Sequence, residues 1–234
     1  MATGEKILQT AGKHIGEKYV LGALAPKNNS KWDGPWDCAE FTSWCVFQAA
    51  EMLYGCGNNG GNPASADAFT GFWHRDSKQL GKRVNVKIAA QTPGEMVLRF
   101  PQPGLLGHIA ISDGKGGTVE AHSRNRGVIK SQISGRRWDT GVLVPGIKYT
   151  QQAEAPSVVT LLLIFRLTDP MMSGKIVKEI QSKLKAAGFN PGKLDGIYGP
   201  QTIAAVNAFQ IVEGLVPDGE VGTETAAALG IELP

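Results

Sequence analysis

An eight-residue pattern occurs twice near the carboxy terminus, as Asp195-Gly196-Ile197-Tyr198-Gly199-Pro200-Gln201-Thr202 and as Asp218-Gly219-Glu220-Val221-Gly222-Thr223-Glu224-Thr225. In each copy Asp-Gly supplies a tight turn, the second glycine a positive-φ or close-approach position, and the threonine a helix cap. An Ala-rich helical stretch follows each copy, Ile203 to Phe209 and Ala226 to Leu229. Ahead of the first copy, Ile176, Ile180, Leu184 and Ala187 recur at the spacing of one helical face. This ending predicts a small all-α module over 174–234, three helices built on two related turn–helix units.

The rest of the chain has a different texture. Ile7, Leu8, Ala11 and Ile15 mark a helical face within 5–16. Asp37 can cap a second helix, with Glu40 three residues on to complete a capping box. Phe41, Trp44, Cys45, Ala49 and Met52 then line one face until Gly55. Gly55 to Ala66 is rich in Gly and Asn and reads as a loop. Between Met96 and Val144 come short β-type runs: 96–98, 108–111, 118–121, 128–129 and 141–144. Asp113-Gly114-Lys115-Gly116-Gly117 joins the second run to the third as a hairpin would. Helices first and an antiparallel sheet after them is an α+β layout. The expected domains are therefore 1–150, a linker over 151–173, and 174–234. The apolar run Val158 to Phe165 is too short to span a bilayer. It is expected to be buried, as a strand or at the domain interface.

Hydrophobic residues at 42% and charged residues at 19% match an ordinary globular protein, and a net charge of +3 is too mild to argue for nucleic acid. Three cysteines are an odd number with no disulfide framework. Met1-Ala2-Thr3-Gly4-Glu5-Lys6 has no apolar core of a signal peptide. The expectation is synthesis in a reducing cytoplasm, with delivery elsewhere by another route.

The chemistry concentrates in Cys38, His108 and His122. Cys38 follows the presumed cap Asp37, and a helix amino terminus favours the thiolate. His108 opens a strand and could accept the thiol proton, then return it to a leaving amine. His122, fourteen residues on and across the hairpin, could hold the far nitrogen of His108 and fix its tautomer. The backbone N–H of Cys38 is a natural oxyanion donor. Cys45 and Cys56 read as small core residues, and His14 and His74 as surface or packing residues. No standard zinc-ligand spacing links Cys38, His108 and His122, and no metal or cofactor is expected.

These residues resemble the NlpC-type cell-wall cysteine peptidases, a papain-like family that cuts peptidoglycan stem peptides. The matching elements are Asp37-Cys38, Gly107-His108, a third polar residue at His122, Tyr19-Val20-Leu21-Gly22, and Pro93-Gly94-Glu95-Met96-Val97. Ala39-Glu40 departs from the Ser-Gly that the family usually carries after its cysteine. The resemblance covers roughly residues 5 to 150. It implies a papain-like fold, helices packed on an antiparallel sheet, with Tyr19 facing the nucleophile and Trp36 and Asp37 near the substrate. Arg124 could meet a stem-peptide carboxylate, or be a solvated loop charge.

Residues 175–233 resemble the three-helix peptidoglycan-binding module of cell-wall hydrolases, with Asp195, Tyr198, Thr202 and Gln210 as candidates to touch glycan or peptide. Together the resemblances imply a peptidoglycan hydrolase working through a thioester on the D-glutamate–meso-diaminopimelate amide. The alternatives are the N-acetylmuramate–L-alanine amide, or a thiol enzyme acting on proteins as a deamidase or transglutaminase-like toxin. The implied partner is peptidoglycan. The implied routes to it are phage lysis or injection by a secretion apparatus, with an immunity protein as a further partner in the second case.

Overall fold

A computed structural model describes residues 1–150 and 163–234. The chain divides into two compact units, Met1–Ile133 with Trp138–Val159, and Ser134–Arg137 with Thr160–Pro234.

In the first unit, α1 (Gly4–Gly12) and α2 (Cys38–Ala50) precede α3 (Thr70–Gln79), β1 (Lys82–Val84), α4 (Val86–Ala89), β2 (Met96–Arg99), β3 (His108–Ser112), β4 (Gly117–Ser123), β5 (Gly127–Gln132) and β6 (Thr140–Leu143). The strands form one antiparallel sheet in the order β1-β6-β2-β3-β4-β5. The α+β class is as expected. Period-two alternation divides the sheet. Met96, Leu98, Ile109, Ile111, Val119 and Ala121 share a core with Phe41, Trp44 and Cys45 of α2. Val97 and Ala110 turn the other way, against Ala89, Ala90 and Ile133.

His14 packs edge-on to Trp44 at 4.9 Å and Trp36 at 5.4 Å, a packing residue as anticipated. Cys45 and Cys56 are buried core thiols. The elements α3, β1 and α4 have no counterpart in the sequence reading.

Glu95 precedes β2 and is fully buried. Burial pushes its carboxyl up to about 7, against a weaker pull down from Thr92. A folded-state value above the ordinary 4.5 means the interior favours the neutral acid. The stability this contributes is complete below the unfolded value and is lost as pH rises towards 7, by about 2–3 kcal/mol. Glu95→Gln should therefore gain stability relative to wild type between pH 4.5 and 7.5 in paired denaturant titrations. A difference that does not change with pH would contradict this.

The second unit holds α5 (Lys175–Ala186), α6 (Pro200–Val212) and α7 (Thr223–Leu229) around Val177, Ile180, Leu184, Val206, Phe209 and Val221. Phe165 and half-buried Met172 join this core, ahead of the expected start at 174. Leu163 is exposed and Phe165 is buried in a bridge with Val221, while Gln151–Leu162, with most of the expected linker and apolar run, lies outside the described residues.

The two repeats are built alike around a buried glutamine. Gln181 Nε2 donates to Asp195 Oδ1 (3.1 Å), Ile197 O (3.0 Å) and Thr202 Oγ1 (3.2 Å). Gln210 Nε2 donates to Asp218 Oδ1 (2.7 Å), Glu220 O (2.9 Å) and Thr225 Oγ1 (3.0 Å). Each glutamine oxygen accepts the N–H of the Asp-Gly glycine, Gly196 or Gly219, both 2.8 Å. Thr202 and Thr225 thus serve the glutamines and are not the helix caps expected. The caps are Gly199 and Gly222, neither with a side-chain cap.

Candidate active site

The α2 helix begins at Cys38 because Asp37 caps it. Asp37 Oδ1 accepts from Glu40 N at 2.8 Å, and its Oδ2 accepts from Gly22 N at 3.2 Å. The N–H of Ala39 also reaches the Asp37 carboxylate. Neither helix donor is the Cys38 N–H. The capping box does not close. Glu40 turns inward, accepts from Ala25 N (2.8 Å) and Ala68 N (2.5 Å), and pairs with the equally buried Lys27 ammonium. Burial raises the Glu40 carboxyl and the Lys27 charge opposes that.

The thiol lies at the start of β3, within reach of the backbone N–H of Ile109. Burial first, then the charge of Asp37, push it up to about 12, while the Ile109 N–H and Arg99 pull it down. Cys38 is consequently a thiol at neutral pH. Burial pushes the Asp37 carboxyl up to about 7. The Tyr19 phenol is driven well above its usual range by burial, then by Cys38 and Asp37, so it stays a proton donor beside the thiol.

His108 follows Gly107, where only a glycine fits. A Cβ there would stand 2.6 Å from Thr70 Oγ1 and 2.8 Å from Arg99 O. The His108 ring is held by Glu120, with Nε2 and Oε2 2.5 Å apart, and Thr118 Oγ1 donates to the other Glu120 oxygen at 2.6 Å. An ionised Glu120 requires the ring proton on Nε2, which makes Nδ1 the acceptor of the neutral ring. Arg99, also buried, is the cross-strand partner of His108, and the Trp138 ring is centred 5.8 Å away.

The expected role of His122 is therefore corrected. The β3–β4 ladder pairs Ser112 with Thr118 and Ile111 with Val119. Extending that register would set His122 opposite His108. The β3–β4 ladder ends at Ile111, and β4 shifts register against β5 between Ala121 and Ser123, a bulge centred on His122. The His122 ring lies 6.1 Å from that of His108, edge to face, with its Nδ1 on Ser123 Oγ at 2.9 Å. Glu120, on the same face two residues earlier, takes the Nε2 position. Its parity with His108 was the only sequence signal for it.

The remaining candidates separate by burial. Trp36 is wholly buried and its Nε1 donates to Glu17 Oε2 at 2.5 Å, so it packs the core. Tyr198, Thr202 and Gln210 are likewise buried in the second unit, Tyr198 donating to Gly219 O at 3.0 Å, and hold that unit together. Arg124 and Asp195 are exposed. Asp195 caps its own turn, accepting from Ile197 N at 2.9 Å, and the Gln181 amide holds its carboxyl below the usual range. His74 stacks on Phe100 with ring centroids 4.0 Å apart. Among the described residues no three His, Cys, Asp or Glu side chains are grouped as metal ligands would be, and no helix is long and apolar enough to cross a membrane.

Residues 173–229 match the PG_binding_1 family of peptidoglycan binding domains. Among curated proteins, the N-acetylmuramoyl-L-alanine amidase CwlL of Bacillus licheniformis is 32% identical over 120 residues, covering 47% of this chain and 33% of that protein. The spore cortex-lytic enzyme of Bacillus cereus is 46% identical over 57 residues, 24% of this chain and 22% of that protein. The chain thus spans a third or less of the length of these relatives. Among solved structures, the NlpC/p60 domain of the peptidoglycan hydrolase SagA aligns with a TM-score of 0.43 at 22% identity, over 61% of this chain and 99% of that one. RipB of Mycobacterium tuberculosis, also described as a peptidoglycan hydrolase, aligns with a TM-score of 0.40 at 19% identity, over 59% and 62%.

Proposed function

We propose that this chain is a thiol hydrolase of peptidoglycan that cleaves an amide of the stem peptide. The observation that carries the chemistry is the thiol of Cys38 at a capped helix start, beside the first residues of β3, where His108 is held through Nε2 by Glu120. The observation that points to the polymer is the peptidoglycan-binding match over 173–229.

In this reading the thiol gives its proton to His108 Nδ1 as sulfur attacks the amide carbonyl, and the oxyanion takes the Cys38 N–H. The resulting imidazolium is stabilised by the Glu120 carboxylate and returns the proton to the departing amine, leaving a thioester. Water, deprotonated by His108, then frees the acid. Tyr19 stays protonated beside the sulfur and can donate to the substrate.

The resemblance points to the amide between D-glutamate and meso-diaminopimelate. A second reading, the N-acetylmuramate–L-alanine amide, draws on the CwlL relative, an N-acetylmuramoyl-L-alanine amidase. Mass spectrometry of soluble fragments from purified sacculi separates them. Stem-peptide products should form with wild type and be absent with Cys38→Ala. Fragments retaining L-Ala–D-Glu on the glycan would support the first bond, and peptide-free glycan the second. No release from several peptidoglycan chemotypes by folded, reduced enzyme would overturn the reading.

A further inference from the structure

The two repeats of the second unit present equivalent grooves in different states. The groove of the second repeat is lined by Asp218, Glu220, Gly222, Glu224 and Thr225, and the chain itself enters it. Gly135, Arg136 and Arg137, part of this unit, form its other wall and leave a free volume of only about 20 Å³. Gly135 O accepts from Thr223 N at 3.2 Å, and Arg137 Nε donates to Glu220 Oε1 at 2.6 Å. The approach is so close that a Cβ on Gly222 would stand 2.2 Å from Gly135 O.

In the first repeat the corresponding Asp195, Ile197, Gly199, Gln201 and Thr202 line a groove with about 350 Å³ of free volume. At Gly199, the counterpart of Gly222, the nearest atom to an added Cβ is Met171 Sδ at 3.7 Å. The hydrogen-bonded cradles beneath the two grooves are the same, glutamine for glutamine, aspartate for aspartate and threonine for threonine.

We propose that the open groove of the first repeat is a peptide-binding site whose ligand is the peptidoglycan stem peptide, and that residues 135–137 show how such a peptide lies. The inference rests on the peptidoglycan reading above. Its lining sets the chemistry. Where Glu220 meets a guanidinium, the first repeat has Ile197, 43% exposed, facing a groove shared with Met171, Pro191 and Pro200. Pro200 replaces Thr223 and has no N–H to offer, so the Gln201 amide is the donor for a peptide carbonyl. Lys193 supplies a cation for a carboxylate. Small apolar methyls beside carboxylates and amides are what a stem peptide of alanine and D-glutamate carries. Among the described residues no aromatic ring lines the groove for a sugar face to stack on.

The test uses full-length Cys38→Ala protein, which cannot digest its ligand, pelleted with purified sacculi. Ile197→Glu reproduces the residue that the second repeat already accommodates at this position, so the turn should tolerate it. It should weaken pelleting at least tenfold with an unchanged thermal midpoint. Ile211→Glu, 61% exposed elsewhere on the unit, should leave pelleting unaltered. Soluble L-Ala–γ-D-Glu–meso-diaminopimelate–D-Ala should compete, and glycan strands stripped of peptide should not.

If Ile197→Glu fails to fold, Met171→Glu on the facing wall replaces it. Equal pelleting of the groove variant and its parent, or equal weakening by Ile211→Glu, would overturn the groove and leave the peptidoglycan reading standing. Competition by stripped glycan and not by peptide would overturn the ligand class. Failure of the parent protein to pellet would overturn the peptidoglycan reading itself.

Discussion

Glu120→Gln should lower kcat/KM for stem-peptide cleavage by about 10²- to 10⁴-fold, the range that positioned acid–base help supplies. The amide keeps the shape of the side chain and loses the charge opposite His108 Nε2. Two things then fail together. The ring is no longer held with its proton on Nε2, so Nδ1 ceases to be reliably the acceptor, and the imidazolium formed during attack loses its counter-charge. Removing that counter-charge also favours the neutral ring, so the ascending limb of the pH–rate profile should move to lower pH. A residue that merely packs would not move it.

His122→Gln should cost less than about tenfold, because its Nδ1 is engaged by Ser123 and not by His108. The reverse order, a severe loss at His122 and a mild one at Glu120, would return the orienting role to the histidine.

Lys27→Met should destabilise the first unit by about 3–5 kcal/mol, the cost of stripping one partner from a buried pair. Lys27 and Glu40 are both fully buried, and the ammonium also donates to Ala66 O at 2.5 Å. Without it the Glu40 carboxylate faces only the N–H groups of Ala25 and Ala68. Burial already raises this carboxyl, and loss of the cation raises it further. A folded value raised above the unfolded one means that stability is lost as pH rises from the unfolded value upward. The deficit relative to wild type should therefore be smaller near pH 4 than near pH 8. Urea midpoints at the two pH values check this, and a loss below about 1 kcal/mol at both would show that the pair is effectively solvated. Glu40 sits two residues after Cys38, so the pair also fastens the chain at 25–27 and 66–68 to the helix that carries Cys38.

Legibility in the sequence followed the range over which each feature is decided. The start of α2 was readable because a cap is a local device, one side-chain oxygen meeting an N–H three residues on. The repeats were readable because Asp-Gly turns and the helices after them are local too. The segment containing α3 was not, since three of its four buried residues, Thr70, Asp76 and Ser77, are polar and leave no apolar stripe.

Nor did spacing reveal that Glu40 abandons its cap for Lys27. The same holds for Tyr198, Thr202 and Gln210, polar side chains that face inward because backbone groups of the neighbouring turns need partners there.

What the sequence determined by itself was therefore the α+β class and the capped start of α2 at Cys38, each a consequence of local propensity and period. Only the tertiary structure decided which residue stands behind His108. Register along β4 nominates His122, but the bulge at that residue and the end of the β3–β4 ladder beyond Ile111 are long-range outcomes of sheet packing, and they bring Glu120 to Nε2 instead.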